Sequence, residues 1–246
     1  MSVPDDSHLA ALWDSVADQW LDPPGRLRPS KQYVAIPLFR SLWGDIAGKR
    51  VLDAGCGGGW LTRVAMEDGA DVDAVDFSPT LITRARQLDG GTQARYHVAN
   101  LCDLSRFRDA HFDLVISHCC LQDVSNYRLA LQEIARVVRT EGCMILSVVH
   151  PWTWQFDAHW GPPAPGEPFL GYIEDPQYLI ERFSGRNMFH RPLSAYCAAV
   201  TSAGFSLLGL YEPRPGDDLE PVLGGEPQWE RWRRVPDFLY IHAIRR

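Results

Sequence analysis

The amino-acid sequence predicts an α/β fold, an open and largely parallel sheet with helices on both faces. Three observations carry this expectation. Between residues 50 and 149, short aliphatic and β-branched runs alternate with amphipathic helical runs, the rhythm of a doubly wound sheet. The first such run, Arg50-Val51-Leu52-Asp53-Ala54, stops at a cluster of glycines, and the second stops at Asp76. The 246 residues are 46% hydrophobic and 22% charged, enough for one buried core with decorations and crowded for two full domains.

The chain opens with a helix: Asp5-Asp6-Ser7 can cap it, and Leu9, Leu12, Trp13, Val16 and Trp20 share one face at helical spacing. Residues 21–30, LDPPGRLRPS, break it, and a second helix is expected from Lys31 to about Ile46. The core then reads as strand 50–54, helix 58–68, strand 71–76, helix 79–88, strand 94–99, strand 112–117, helix 126–138 and strand 142–149. Leu81, Ala85 and Leu88 form one apolar stripe, and Tyr127, Leu131, Ile134 and Val138 another, as helices that cover a sheet require. Past residue 150 the rhythm breaks, for residues 151–192 hold seven prolines and three tryptophans with no sustained period. Irregular stretches beyond ~12–15 residues inside a compact domain are usually lids or binding elements, so a cap over the sheet edge is expected. Leu193, Tyr196, Cys197 and Val200 mark one more helix, which Gly204 ends. Two last strands, about 205–212 and 237–244, flank the irregular run 213–234 and are expected to pair antiparallel.

Composition excludes several classes of function. A formal charge of −7 and a pI near 5.6 argue against nucleic-acid binding, and the basic runs SRFRD and RWRR are short enough to be solvated surface. The six cysteines include no CxxC pair and no Cys-His cluster at zinc-ligand spacing, so no metal is expected and reduced cytoplasmic thiols are. MSVPDDSHLA lacks the basic and apolar regions of an export signal, and no run of 18 uncharged apolar residues occurs, so no membrane contact is expected.

The chemistry is concentrated in Val51-Leu52-Asp53-Ala54-Gly55-Cys56-Gly57-Gly58-Gly59-Trp60. Glycines after a short strand bring bare backbone against a ligand, because no Cβ blocks the approach. Asp76, 21 residues beyond Gly55, stands where a ribose-binding acid belongs. A dinucleotide loop would place glycine at the sixth position of GxGxxG for close helix packing beside a pyrophosphate; Trp60 stands there, which suits a ligand without phosphate.

This run resembles motif I of the class I S-adenosylmethionine-dependent methyltransferases. Three further segments match the family in order: VDAVDFSPTLI with Asp76, YHVANLCDL, and FDLVISHCCLQDV followed by LQEIARVVRTEGCMILSV, whose Thr140-Glu141-Gly142 replaces the family's Pro-Gly-Gly turn. The resemblance implies a Rossmann-like seven-stranded sheet of order 3-2-1-4-5-7-6 with the last strand antiparallel. It implies one methyltransferase domain over 1–246: N-terminal helices 1–46 as a lid, a cofactor-binding core 47–150, a cap insertion 151–192, and a C-terminal helix and strand pair 193–246. The implied cofactor is S-adenosyl-L-methionine, released as S-adenosyl-L-homocysteine. Asp53, Gly55 and Gly57 would cradle its methionine part, Asp76 would bond both ribose hydroxyls, and Asn100, where the family often has Asp, would meet the adenine amino group beside the Leu101 N–H. Asp103 competes with Asn100 or is an exposed loop charge. Phe77 either lies along the adenine or packs in the core, and Trp60 either walls the cofactor or packs.

Methyl transfer from a sulfonium is an in-line displacement, so the enzyme contributes alignment and exclusion of water. A hydroxyl or carbon acceptor usually also needs a base, and histidine titrates near neutrality. Three histidines occupy informative places: His118 after the fourth strand, where cofactor and acceptor meet in the family, and His150 and His190, which bracket the cap. Tyr33, Tyr172 and Tyr178 are weaker candidates. Tryptophans 152, 154, 160, 229 and 232 lie in the two irregular segments, in an apolar acceptor pocket or in packing. No NPPY or DPPY follows the fourth strand, and no carboxylate cluster suggests a magnesium site. The expectation is methyl transfer to a small aromatic or cyclic metabolite, with O-methylation favoured, by a monomer or homodimer. N- or C-methylation, modification of tRNA or protein, and a non-catalytic cofactor-binding partner subunit are the alternatives.

Overall fold

Seven strands form one sheet because their side chains alternate between two apolar faces. In the computed structural model, which describes residues 6–22, 26–91, 93–152, 177–180, 187–225 and 229–246, Val51, Leu114, Ile116, Ile145 and Tyr240 face one core. Leu52, Val115, Met144, Leu146 and Ile241 face the other. The period of two along a strand explains why neighbours such as Val51 and Leu52 enter different cores, both completely buried.

The elements are α1 (Asp6–Trp20), a π-helical turn (Lys31–Ala35) running into α2 (Ile36–Trp43), β1 (Arg50–Ala54), α3 (Trp60–Glu67), β2 (Asp71–Asp76), α4 (Pro79–Leu88) and β3 (Arg95–Val98). There follow β4 (Phe112–His118), a 3₁₀ turn (Leu121–Asp123), α5 (Tyr127–Val137), β5 (Val138–Val149), the strands β6 (Gln177–Ile180) and β7 (Asn187–His190), and α6 (Leu193–Ser202). The chain ends with β8 (Phe205–Tyr211), the short helices α7 (Glu220–Leu223) and α8 (Trp229–Trp232), and β9 (Phe238–Arg245). The sheet order is β3-β2-β1-β4-β5-β9-β8. Counting the strands of this sheet alone gives the expected 3-2-1-4-5-7-6. β1 to β5 pair parallel, and β9 runs antiparallel to both β5 and β8. That last pairing matters for the site, because it brings the start of β9 to the carboxyl edge of the parallel strands, with Phe238 opposite Val149.

Differences from expectation have local causes. The second helix stops at Trp43, three residues early, where Gly44 turns the chain at φ +59°. β5 begins at Val138, directly after α5, and a bulge opposite Phe112/Leu114 absorbs residues 139–142. Glu141 sits there in the left-handed region at φ +62°, the conformation for which the family's turn carries glycine. Gly142 is needed for a different reason: a Cβ on it would come within 2.9 Å of Arg139 O and 3.0 Å of Asp113 O. The run 213–234 contains α7 and α8 rather than being wholly irregular. Within the expected cap, β6 and β7 form a separate antiparallel pair; residues 153–176 and 181–186 of the cap expectation, Tyr172 among them, lie outside the described residues, as does the side chain of Tyr178.

The N-terminal helix is latched onto the sheet by charge and capping. Asp14 Oδ1 accepts hydrogen bonds from Ser78 Oγ (2.5 Å) and Thr80 N (3.1 Å), so one carboxylate from α1 supports the first turn of α4. Ser78 Oγ in turn caps α4 by accepting from Leu81 N at 3.0 Å. Asp18 and Arg84 add a second, exposed tie at 3.0 Å.

Candidate active site

The glycine run forms a tight loop because β2 holds it from below. The N–H groups of Gly55 and Cys56 both donate to Val75 O, at 2.8 and 2.9 Å. Gly55 lies at φ +81°, and a Cβ there would overlap Cys120 Sγ. Gly57, at φ +53°, has open space where a Cβ would be, which is what a ligand approaching bare backbone requires. The cavity above the loop measures about 610 Å³.

The expected cofactor residues converge on this cavity: Asp53, Gly55, Gly57, Asp76, Phe77, Asn100, Leu101 and His118 all line it. Asp76 Oδ2 accepts from Gly57 N and Oδ1 from Ser78 N, each at 2.9 Å. A carboxylate offers about four acceptor positions, so two remain for a pair of vicinal hydroxyls. Burial pushes the Asp76 carboxyl up to about 6, against the lowering effect of the backbone N–H groups of Ser78, Gly57 and Phe77. Asp53 is buried deeper, accepts from Thr62 Oγ1 at 2.6 Å, and is pushed up to about 7 by desolvation. Asn100 Oδ1 accepts from Cys102 N at 2.9 Å, an Asx turn that uses one of its two lone pairs. Asp103 is the exposed loop charge of the two readings, accepting from Ser105 N. Trp60 lines the cavity, with Lys31 Nζ 5.2 Å from its ring centre.

The three histidines separate. His118 lines the cavity, its ring edge-on to Trp60 at 5.1 Å and 5.3 Å from Phe238. Its Nδ1 shares a 2.8 Å hydrogen bond with Ser147 Oγ, and burial, assisted by Lys31, holds its pKa down to about 3. His118 is therefore neutral across the physiological range and a poor receiver of a proton. His150 and His190 do not line the cavity among its described residues. At His150, Nδ1 accepts from Trp152 N (3.2 Å), which leaves the proton on Nε2 to donate to Glu212 Oε1 (2.7 Å). His150 meets the site through the main chain, its N–H donating to Asp237 O at 2.9 Å. His190 is buried at the end of β7, opposite Gln177. Among the described residues, the expected bracket of the cap brings one backbone contact to the cavity, from His150 N to Asp237 O. Tyr33 lies on the π-helical turn and is absent from the described lining.

Several lining residues escaped the sequence reading. Asp237 and Phe238 come from the start of β9, whereas Trp232, from α8, was already a candidate for the pocket. Asp237 is ion-paired with Arg231 and raised by burial. Gln122 and Asp123 come from the turn after β4, and Trp13 and Trp20 from α1. The antiparallel direction of the expected last strand was the available signal for Asp237, since it places that strand's first residue at the carboxyl edge. Among the described residues no cluster of His, Cys, Asp and Glu could hold a metal ion, and no helix is long and apolar enough to cross a membrane.

Comparison with known proteins agrees with this geometry. Residues 52–146 match the family described as "Methyltransferase domain". The ubiquinone biosynthesis O-methyltransferase of Xanthomonas oryzae pv. oryzae is 32% identical over 139 residues, 55% of this chain and 58% of that protein. The chain thus spans less than two thirds of the length of this curated relative. An S-adenosylmethionine-dependent methyltransferase structure from Mesorhizobium loti superposes with a TM-score of 0.72 at 27% identity, over 85% of this chain and 96% of the other. The Burkholderia thailandensis 1,6-didemethyltoxoflavin-N1-methyltransferase, solved with bound 1,6-didemethyltoxoflavin and S-adenosylhomocysteine, shares the fold: TM-score 0.62 at 19% identity, over 100% of this chain and 92% of that one. Its sheet order, glycine loop and Asp76 are those of the class I S-adenosylmethionine-dependent methyltransferase fold, and residues 52–146 are its methyltransferase domain.

Proposed function

We propose that this chain transfers a methyl group from S-adenosylmethionine to a hydroxyl of a small aromatic or cyclic metabolite. The observation that carries the cofactor is the pairing of Asp76, with two acceptor positions to spare, and the Cβ-free loop at Gly57 in one cavity. Support for the acceptor is the aromatic lining of the same cavity, where Trp60 and Phe238 pack against His118 and Trp232 also lines the wall. The O-methyltransferase name of the Xanthomonas relative favours oxygen over nitrogen or carbon.

The bound cofactor supplies an electrophilic methyl on a cationic sulfur. The chain aligns the acceptor with it and excludes water. A hydroxyl acceptor must also shed a proton. Asp237, whose pKa is raised by burial, is a better receiver than His118, held at about 3. In this reading His118 is a neutral hydrogen-bonding wall, His150 steadies the backbone of Asp237, and His190 belongs to the support of the insertion. A monomer or homodimer working in the cytoplasm, without nucleic acid, completes the proposal. Asp76→Ala should weaken S-adenosylhomocysteine binding in calorimetry at least a hundredfold; affinity equal to that of the unaltered chain would sink the cofactor assignment.

A further inference from the structure

The 3₁₀ turn after β4 holds a buried glutamine with one unused polar atom. Gln122 is 1% exposed and lines the cofactor cavity. Its Nε2 donates to Cys119 O at 2.5 Å and to Asp123 Oδ2 at 3.0 Å. Both partners are pure acceptors when Asp123 is ionised, which assigns the amide orientation: the flipped side chain would set oxygen against oxygen twice. Oε1 is left buried without a hydrogen-bond partner. A buried carbonyl left unpaired destabilises the protein, and such atoms in native structures call for an explanation.

The same turn is gripped from a distant part of the chain. Arg191 follows β7 and is 2% exposed. Its Nη1 donates to Leu121 O at 2.8 Å, and its Nη2 to Val124 O at 2.6 Å and Ser125 O at 3.3 Å. The guanidinium lies 4.1 Å from the Tyr127 ring centre and 4.8 Å from that of Phe189. These carbonyls flank Gln122 on both sides. A planar fork between two rings can hold several of them at once, which a lysine ammonium cannot reproduce.

We propose that Gln122 is a further cofactor-binding residue, its Oε1 accepting a hydrogen bond from an N–H group of the cofactor, and that Arg191 is the positioning residue that holds Gln122 in place. The inference rests on the S-adenosylmethionine reading above. That cofactor has two suitable donors, the α-ammonium of its methionine part and the 6-amino group of its adenine, and both are N–H groups that an unpaired buried carbonyl would satisfy. Arg191 thereby ties the end of the insertion to the cofactor wall.

Calorimetric titration of the full chain with three probes tests this: S-adenosylhomocysteine, its analogue with a 6-oxo in place of the 6-amino group, and its analogue lacking the α-amino group. Gln122→Met should weaken S-adenosylhomocysteine at least tenfold, and the loss should vanish for the one analogue that lacks the responsible N–H. Disappearance with the 6-oxo probe assigns the adenine amino group; disappearance with the des-amino probe assigns the ammonium. Arg191→Lys, and Arg191→Gln if the lysine variant does not fold, should give the same probe-dependent pattern at smaller size. For Gln122→Met, an affinity within twofold of the unaltered chain, or an equal loss with all three probes, overturns the role of Gln122. A folded Arg191 variant that binds all three normally, or loses all three alike, overturns the positioning role. Failure of the unaltered chain to bind S-adenosylhomocysteine would instead overturn the cofactor reading, and this inference with it.

Discussion

Lowering the pH from 7.5 to 5 should weaken S-adenosylhomocysteine binding about tenfold, through the protonation of Asp76. To accept two ribose hydroxyl donors in addition to Gly57 N and Ser78 N, the carboxyl must be ionised. In the ligand-free protein burial raises its pKa to about 6. At pH 5 roughly one molecule in eleven then carries the ionised form, and at pH 7.5 nearly all do, a difference of about 1.4 kcal/mol in binding. The sign follows from the direction of the shift: a raised pKa keeps the proton on in the free protein, so binding must release it, and binding strengthens as pH rises. Calorimetry in buffers of different ionisation enthalpy reads both the affinity and the released proton. An affinity that is flat between pH 5 and 7.5, or that falls as pH rises, would refute the reasoning, and Asp76→Asn should remove most of the dependence.

Two substitutions probe the backbone. Gly55→Ala should abolish cofactor binding and lower the thermal midpoint, because its φ of +81° disfavours a side chain and its Cβ would meet Cys120 Sγ; a variant that binds S-adenosylhomocysteine normally would contradict the loop geometry. Glu141→Gly should stabilise the protein by about 0.5–1 kcal/mol in urea unfolding, since glycine relieves the left-handed strain at φ +62° while adding some unfolded-state entropy. A destabilised variant would show that the Glu141 side chain contributes more than its backbone costs.

The order of the sheet was readable because each strand carries its own period and each glycine or cap its own boundary. Asp53, Gly55, Gly57 and Asp76 were readable for the same reason, since they lie at the ends of two adjacent strands whose pairing, Asp53 to Ala74 and Ala54 to Val75, follows from the order. The acceptor end was not. Position at a sheet edge does not say where a side chain turns, and His150 turns to Glu212. Gln122 and Arg191 are separated by a long stretch of sequence and meet through main-chain carbonyls, which leave no mark in side-chain pattern. Asp237 was legible only as the first residue of the last strand; that its side chain reaches the cavity follows from the antiparallel pairing with β5 and from the bond of His150 N to its carbonyl.

The central claim, methyl transfer to a small molecule from the cavity over Gly57 and Asp76, is tested most directly by following a labelled methyl group. The unaltered chain and its Asp76→Ala variant are each incubated with methyl-labelled S-adenosylmethionine and an extract of cells that make the protein, and the label is traced by mass spectrometry. The account predicts one labelled aromatic or cyclic product, methylated on oxygen, that is absent with Asp76→Ala. Label arriving on RNA or protein, or a chain that binds the cofactor and labels nothing, would contradict it.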